Sequence, residues 1–207
     1  PNGIGKPINS GAWEAQPGFS SDGTALYFAS NRAGGFGGKD IWVSYLDAQM
    51  RWSEPKNLGP NINTKFDDQC PFIHADNQTL YFTSNGWPGM GNGDIFVARK
   101  TGTGWTQAVN IGYPINTEND DNGMTVSYDG KTAFLSSSRA GGFGGLDIYS
   151  FELPESMQPK KITYIKATVK DAKTKQLLNA GYTVVDLDSK QEKYKGNTPA
   201  GNFFVSI

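Results

Sequence analysis

A unit of 53 to 54 residues recurs along this chain, and a period of that length admits few architectures. Asp22-Gly23-Thr24-Ala25-Leu26-Tyr27-Phe28 returns as Asp76-Asn77-Gln78-Thr79-Leu80-Tyr81-Phe82. It returns again as Asp129-Gly130-Lys131-Thr132-Ala133-Phe134-Leu135, at steps of 54 and 53 residues. Asp40-Ile41-Trp42, Asp94-Ile95-Phe96 and Asp147-Ile148-Tyr149 keep the same steps. Trp52 matches Trp105, Asn57-Leu58-Gly59 matches Asn110-Ile111-Gly112, and Ile62-Asn63-Thr64 matches Ile115-Asn116-Thr117. Ser30 to Gly38 is rewritten almost letter for letter as Ser137 to Gly145. Every residue in a unit can therefore be compared with its counterpart one unit away.

Each unit holds four short apolar runs separated by turn residues. In the second unit they span 71–75, 79–84, 94–99 and 105–111. Runs so short, rich in aromatic and β-branched residues and bounded by Gly, Asn and Asp, predict strands joined in hairpins. Four antiparallel strands per repeat form the blade of a β-propeller. Helical solenoids are excluded because glycine, 26 of 207 residues, is too frequent in every unit to sustain helices.

Charge narrows the function classes. Nineteen basic residues face twenty acidic ones, which argues against a protein that tracks nucleic-acid phosphates. No apolar run approaches the roughly 20 residues a membrane helix needs. Cys70 and His74 are the sole residues of their types, so an intrachain disulfide and any site needing two histidines are excluded. The sequence predicts no metal and no cofactor. His74 has Ser20 and Ser127 as counterparts, and Cys70 has Gln16 and Gly123, so neither reads as a general base or a nucleophile. There is no Gly-x-Ser-x-Gly nucleophile elbow. Gly37-Gly38-Lys39-Asp40 lies between strands, without the following Ser/Thr or helix of a phosphate loop.

The pattern Asp-Gly-x-x-Leu-Tyr-Phe-x-Ser-Asn-Arg, then Gly-Gly-x-Gly-Gly-x-Asp-Ile, resembles the WD40-like PD40 repeats of TolB-type propellers. The longer cassette adds Trp-Ser-x-Pro-x-Asn-Leu-Gly, Ile-Asn-Thr and Asp-Asp. It is similar to the OmpA-family envelope proteins of Bacteroidetes, including the PorE-type component of the type IX secretion system. The resemblance covers residues 1–153 and implies a periplasmic, outer-membrane-associated protein. The partners it implies are other envelope or secretion-system proteins, with peptidoglycan reached through a domain outside this chain.

Residues 2–9 align with 56–63, so they read as the tail of a preceding blade. A closed ring needs at least four blades, and three are visible, so upstream blades are expected outside the chain. The third unit lacks its fourth strand. It is expected to be the last blade, closed by a strand from the propeller's own start. The opening at Pro1 without Met and the strand-like close at Phe203–Ile207 fit a piece of a longer protein.

The propeller is expected to run over 1–153, followed by a Pro-bracketed linker at 154–161. Beyond it, Ile165, Ala167 and Val169 alternate with polar residues as a half-buried strand. Asp171–Lys175 reads as a turn, Tyr182–Leu187 as a second strand, and Thr198–Phe203 as the lead into a third. This layout resembles a carboxypeptidase regulatory-like β-sandwich, truncated within 162–207. The fold class expected is all-β, a partial propeller followed by a partial sandwich.

The Gly-Gly-Phe-Gly-Gly loops carry Phe36 and Phe143 as apolar anchors. The aspartate closing each loop (Asp40, Asp94, Asp147) is expected to accept hydrogen bonds from the loop amides. Asp67-Asp68 and Asp120-Asp121, with Glu14 as counterpart, sit just before each blade's first strand. In a propeller, where the first strand lines the channel, they are expected to emerge on the same face as the glycine loops. Adjacent carboxylates repel unless paired or metal-bound, and Arg32 and Arg139 are the available partners. An internal acid–arginine network, partner docking and calcium binding are the three readings. Trp87, where the other units have Ala33 and Ala140, is expected to be an exposed aromatic at an interface.

A noncatalytic scaffold is the leading expectation. The alternative is a carbohydrate- or peptide-processing propeller using carboxylates at the channel mouth. Against it, these acids recur in successive repeats, whereas catalytic residues occur once. A propeller gating a hydrolase would need a hydrolase domain after residue 154, where the residues read as β-sandwich.

Overall fold

The computed structural model describes residues 2–198 and 201–206 and divides into two compact units, one ending at Lys161 and the other starting at Ile162. Pro1, Pro199, Ala200 and Ile207, which belong to the domains expected from the sequence, lie outside the described residues. No α-helix occurs among the described residues.

The first unit is three consecutive antiparallel meanders. The first comprises β1 (Glu14–Phe19), β2 (Ala25–Ser30), β3 (Asp40–Tyr45) and β4 (Lys56–Asn57), hydrogen-bonded in that order. The second repeats it as β5 (Asp68–Ile73), β6 (Thr79–Ser84), β7 (Asp94–Arg99) and β8 (Val109–Asn110). The third has three strands, β9 (Asp121–Val126), β10 (Thr132–Ser137) and β11 (Asp147–Glu152). Strand β1 lies against β5, and β5 against β9, as successive first strands do around a propeller hub. These are propeller-type blades.

The repeat also builds the core. β6 is buried along its whole length because a blade packs on each of its faces, and β2 because the second blade covers one face and Ile8, with Trp42 and Trp52, covers the other. Ile62 is buried with Phe82 and Phe96, and its counterparts repeat the arrangement. Ile8 packs on Leu26, Phe28 and Trp42, and Ile115 lies in the cluster of Leu135. Each such isoleucine is worth about 2–3 kcal/mol of burial. β10 and β11 alternate instead, and their open face leaves Phe134 and Ile148 exposed.

Two strand expectations need correction. The first strand of the second blade starts at Asp68, not at Pro71, so the acids expected ahead of the strands open them: Glu14 in β1, Asp68 in β5, Asp121 in β9. The polar start is hidden in sequence by a β-bulge, where the pairing register shifts between Gln69 and Phe72. Gln16, Cys70 and Gly123 take φ of 55°, 53° and 62° at this bulge, a left-handed geometry reached by three dissimilar residues. The fourth strand is shorter than 105–111. Trp105 makes an isolated bridge to Lys100, and only Val109–Asn110 form a strand.

Residues 154–161 pack on the second and third blades. Leu153 is buried, and Glu155–Met157 form a 3-10 turn. Tyr81 Oη donates to Met157 O at 2.7 Å, Arg99 Nη2 to Gln158 O at 2.8 Å, and the Lys160 amide to Asp76 Oδ2 at 2.9 Å.

In the second unit β12 (Tyr164–Thr168) pairs with β15 (Asn202–Ser206), and β13 (Gly181–Val185) pairs with β14 (Glu192–Asn197). Strand β14 is not foreseen from the sequence, because its Glu, Lys and Tyr give no apolar alternation.

Candidate functional site

The loop between the second and third strands of each blade carries the most repeated chemistry in the chain. Its closing aspartate folds the loop around one carboxylate oxygen. Asp40 Oδ2 accepts the Phe36 amide at 2.6 Å, Asp94 Oδ2 the Met90 amide at 2.9 Å, and Asp147 Oδ2 the Phe143 amide at 2.7 Å. Gly35, Gly89 and Gly142 have to be glycine here, since a Cβ would lie 1.9, 2.0 and 2.1 Å from that oxygen. The loop's tip then points outward. Phe36 and Met90 are about half exposed, and Phe143 is fully so. Sequence reasoning passes over Met90, although it stands one repeat from Phe36.

Behind the tips lies a charged layer. Arg32 Nη2 is 3.1 Å from Glu14 Oε1, and the same nitrogen donates to Ile8 O. Arg139 Nη2 is 2.8 Å from Asp121 Oδ1 and donates to Ile115 O at 2.7 Å. Both guanidiniums also lie over an aromatic ring, Arg32 over Phe28 and Trp42, Arg139 over Tyr149. Burial opposes ionisation of Glu14, yet bonds from Ser10 and Ser30 and the Arg32 charge hold its carboxyl below the ordinary value. These pairs lock first strands to the wrap segments ahead of them.

The middle blade departs from this scheme. Gly86 stands in the arginine slot, and a Cβ there would lie 1.9 Å from Thr64 Oγ1. Trp87 replaces the arginine in one of its two contacts. Its Nε1 donates to Ile62 O at 2.9 Å, the counterpart of the carbonyls that Arg32 and Arg139 bind. Trp87 is therefore half buried against the core, not the exposed aromatic expected from sequence. The second contact, to the first-strand acid, has no replacement. Asp68 is fully buried, and its Oδ2 accepts the Thr64 amide at 2.5 Å and the Thr64 hydroxyl at 2.9 Å. Among the described residues neither its Oδ1 nor Asp40 Oδ1 accepts a hydrogen bond, although the Ser84 side chain lies close enough to favour the ionised Asp68. Burial, with Asp40 adding to it, lifts the Asp68 carboxyl to about 6.

The outer acids behave differently. Asp67 Oδ2 pairs with Lys39 Nζ at 2.7 Å, and its Oδ1 accepts the Lys39 amide at 2.9 Å. Those contacts outweigh burial and hold Asp67 below its ordinary value. Asp120 is half buried, and its carboxylate accepts no hydrogen bond among the described residues. No group of three or more His, Cys, Asp or Glu side chains able to hold a metal occurs among those residues.

His74 and Cys70 have structural surroundings. His74 is buried, with Nε2 3.1 Å from Ser127 O and Nδ1 accepting the Asp76 amide at 3.2 Å, which joins the second blade to the third. Burial pushes the Cys70 thiol up, away from the thiolate a nucleophile needs.

No protein-family model and no curated protein matches the chain. Similar solved structures include TolB from Acinetobacter baumannii, 13% identical with a TM-score of 0.48 over 90% of this chain and 43% of that one. A putative TolB from Agrobacterium tumefaciens is 14% identical, TM-score 0.44, over 96% of this chain and 58% of that one. An α-L-arabinofuranosidase from Lactobacillus brevis is 14% identical, TM-score 0.48, over 93% of this chain and 68% of that one. The chain thus spans about half the length of the two TolB structures. Its repeat and its sheets make it an all-β protein of propeller-type blades.

Proposed function

We propose that this chain is a noncatalytic docking scaffold of the periplasm, associated with the outer membrane. The observation that carries the reading is the arc of Phe36, Met90 and Phe143, three exposed apolar tips at one repeat position. Each tip is held by its own aspartate, so the surface is pre-formed and loses little entropy on binding. Apolar anchors on a polar rim are what protein interfaces use as hot spots. Most of the acids that would serve a glycosidase mechanism are engaged within the blades. Glu14 and Asp121 hold arginines, Asp67 holds a lysine, and Asp40, Asp94 and Asp147 hold loops.

The sequence resemblance to the OmpA-family envelope proteins supports the finer reading. The partners are then outer-membrane or type IX secretion components, and a domain outside this chain tethers the assembly to peptidoglycan. The second unit, in this reading, is part of a carboxypeptidase regulatory-like sandwich that spaces propeller from tether.

Capture of envelope proteins by the immobilised chain tests this, using wild type and the triple variant Phe36→Ser, Met90→Ser, Phe143→Ser. Wild type is expected to retain outer-membrane or secretion components, and the triple variant to lose them with its melting temperature unchanged. Equal capture by both overturns the assignment of the surface. Turnover of a glycoside or peptide substrate that disappears in Asp120→Asn replaces the scaffold with an enzyme.

A further inference from the structure

The two blade junctions differ at one place. At the first, the Lys39 ammonium lies 2.7 Å from Asp67 Oδ2 and 5.5 Å from the centre of the Trp13 ring. One repeat further on, Gly93 replaces Lys39, Asp67 replaces Trp13, and Asp120 replaces Asp67. The second junction therefore keeps the acceptor, gains a further carboxylate and lacks the ammonium. What remains is a polar cleft of about 170 Å³, lined by Asp67, Asn85, Asn92, Gly93, Asp120 and Asn122 among others.

From this we infer that the cleft binds a primary ammonium, the side chain of a lysine on the docking protein. The first junction shows the slot's ligand directly, an ammonium in contact with the carboxylate that precedes the first strand. An ammonium has three donors to satisfy. Asp120 supplies one unused carboxylate, and the side chains of Asn92 and Asn122 line the same cleft, each with one carbonyl acceptor to offer. A carboxylate pair formed in a half-buried cleft is screened less than one in open solvent. A guanidinium could also meet the free Asp120 carboxylate, so the ammonium is chosen on the first junction, where Lys39 fills the matching slot. A divalent cation lacks the charged ligands, with two carboxylates present and one already held by Lys39. The inference leans on the docking reading only in assigning the ammonium to a partner. The site itself is tested with a small amine.

The test is a titration of the full chain with Nα-acetyl-lysine amide, read by the NMR signals of the Asn85, Asn92 and Asn122 side-chain amides. Saturable shifts are expected, with Nα-acetyl-norleucine amide producing none and Asp120→Asn weakening binding at least tenfold. Gly93→Lys provides a second reading. A Cβ there meets only side-chain atoms, at 3.3 Å, so the new lysine is expected to reach Asp120, raise the melting temperature and abolish the titration. Equal shifts from the norleucine compound, or full binding by Asp120→Asn, overturn the site. Tighter binding of calcium at the same amides makes it a metal site and overturns the ammonium reading. Loss of partner capture with an intact titration would strike the docking surface alone.

Discussion

Replacing Asp68 by Asn is expected to stabilise the protein at neutral pH, against the ordinary rule that mutating a buried polar residue destabilises. Asp68 is the one first-strand acid without an arginine, because Gly86 occupies the slot filled by Arg32 and Arg139 elsewhere. Burial raises its carboxyl from 3.8 to about 6. Ionised, it therefore costs the folded state about 3 kcal/mol relative to an unfolded chain. Asparagine keeps an oxygen for the Thr64 amide and hydroxyl and removes the charge. Its new N–H group enters a junction where Asp40 Oδ1 is an unpartnered acceptor. The sign follows from proton binding. Between pH 4 and 6 the folded state holds the Asp68 proton more tightly than the unfolded state, so the wild type loses stability as pH rises through that window. The loss is nearly complete only at about pH 7, a unit above the folded value, and is flat beyond it. Urea unfolding of both proteins at pH 4, 5, 6 and 7 should show their difference growing from near zero to about 3 kcal/mol. Asp121→Asn is the control. It strips Arg139 of a buried partner and should destabilise by about 3 kcal/mol at pH 7. A pH-independent difference for Asp68→Asn, or a loss of stability at pH 7, would refute the reasoning.

Three further substitutions probe the blades. Gly89→Ala places a Cβ 2.0 Å from Asp94 Oδ2 and should cost about 2 kcal/mol, whereas Gly102→Ala, with no atom within 4 Å of the added carbon, should stay within about 0.5 kcal/mol in the same denaturation assay. Trp87→Phe removes the bond to the carbonyl of buried Ile62 and should cost about 1–2 kcal/mol; no change in the denaturation midpoint would show that water replaces the indole. Arg99→Ala removes the donor to Gln158 O and should accelerate amide exchange over residues 157–160 while leaving β2 and β3 protected, as judged by hydrogen exchange.

Much of the architecture is legible in the sequence because it is written three times. Thr79–Ser84 and Asp94–Arg99 are apolar runs bounded by turns, and β6 and β7 have those limits. The first strands begin earlier than the apolar pattern suggests, because Asp68 and Gln69 are polar and a bulge interrupts the alternation. Nothing in the residue types of Gln16, Cys70 and Gly123 announces a shared left-handed backbone. The acid–arginine pairs can be anticipated from charge and spacing. The exchange of arginine for tryptophan at the neighbouring position cannot, since it depends on an indole N–H reaching the same carbonyl from another direction. Likewise the prolines around 154–161 suggest a spacer. Only the folded chain shows Tyr81, Arg99 and Asp76 waiting for its backbone.

That last segment bears on mechanics. The chain leaves the third blade at Glu152, yet its final bonds before Ile162 are made to side chains of the second. A pull on whatever follows is met first by the Asp76 and Arg99 bonds, and only afterwards by β11. The load is thereby shared between neighbouring blades.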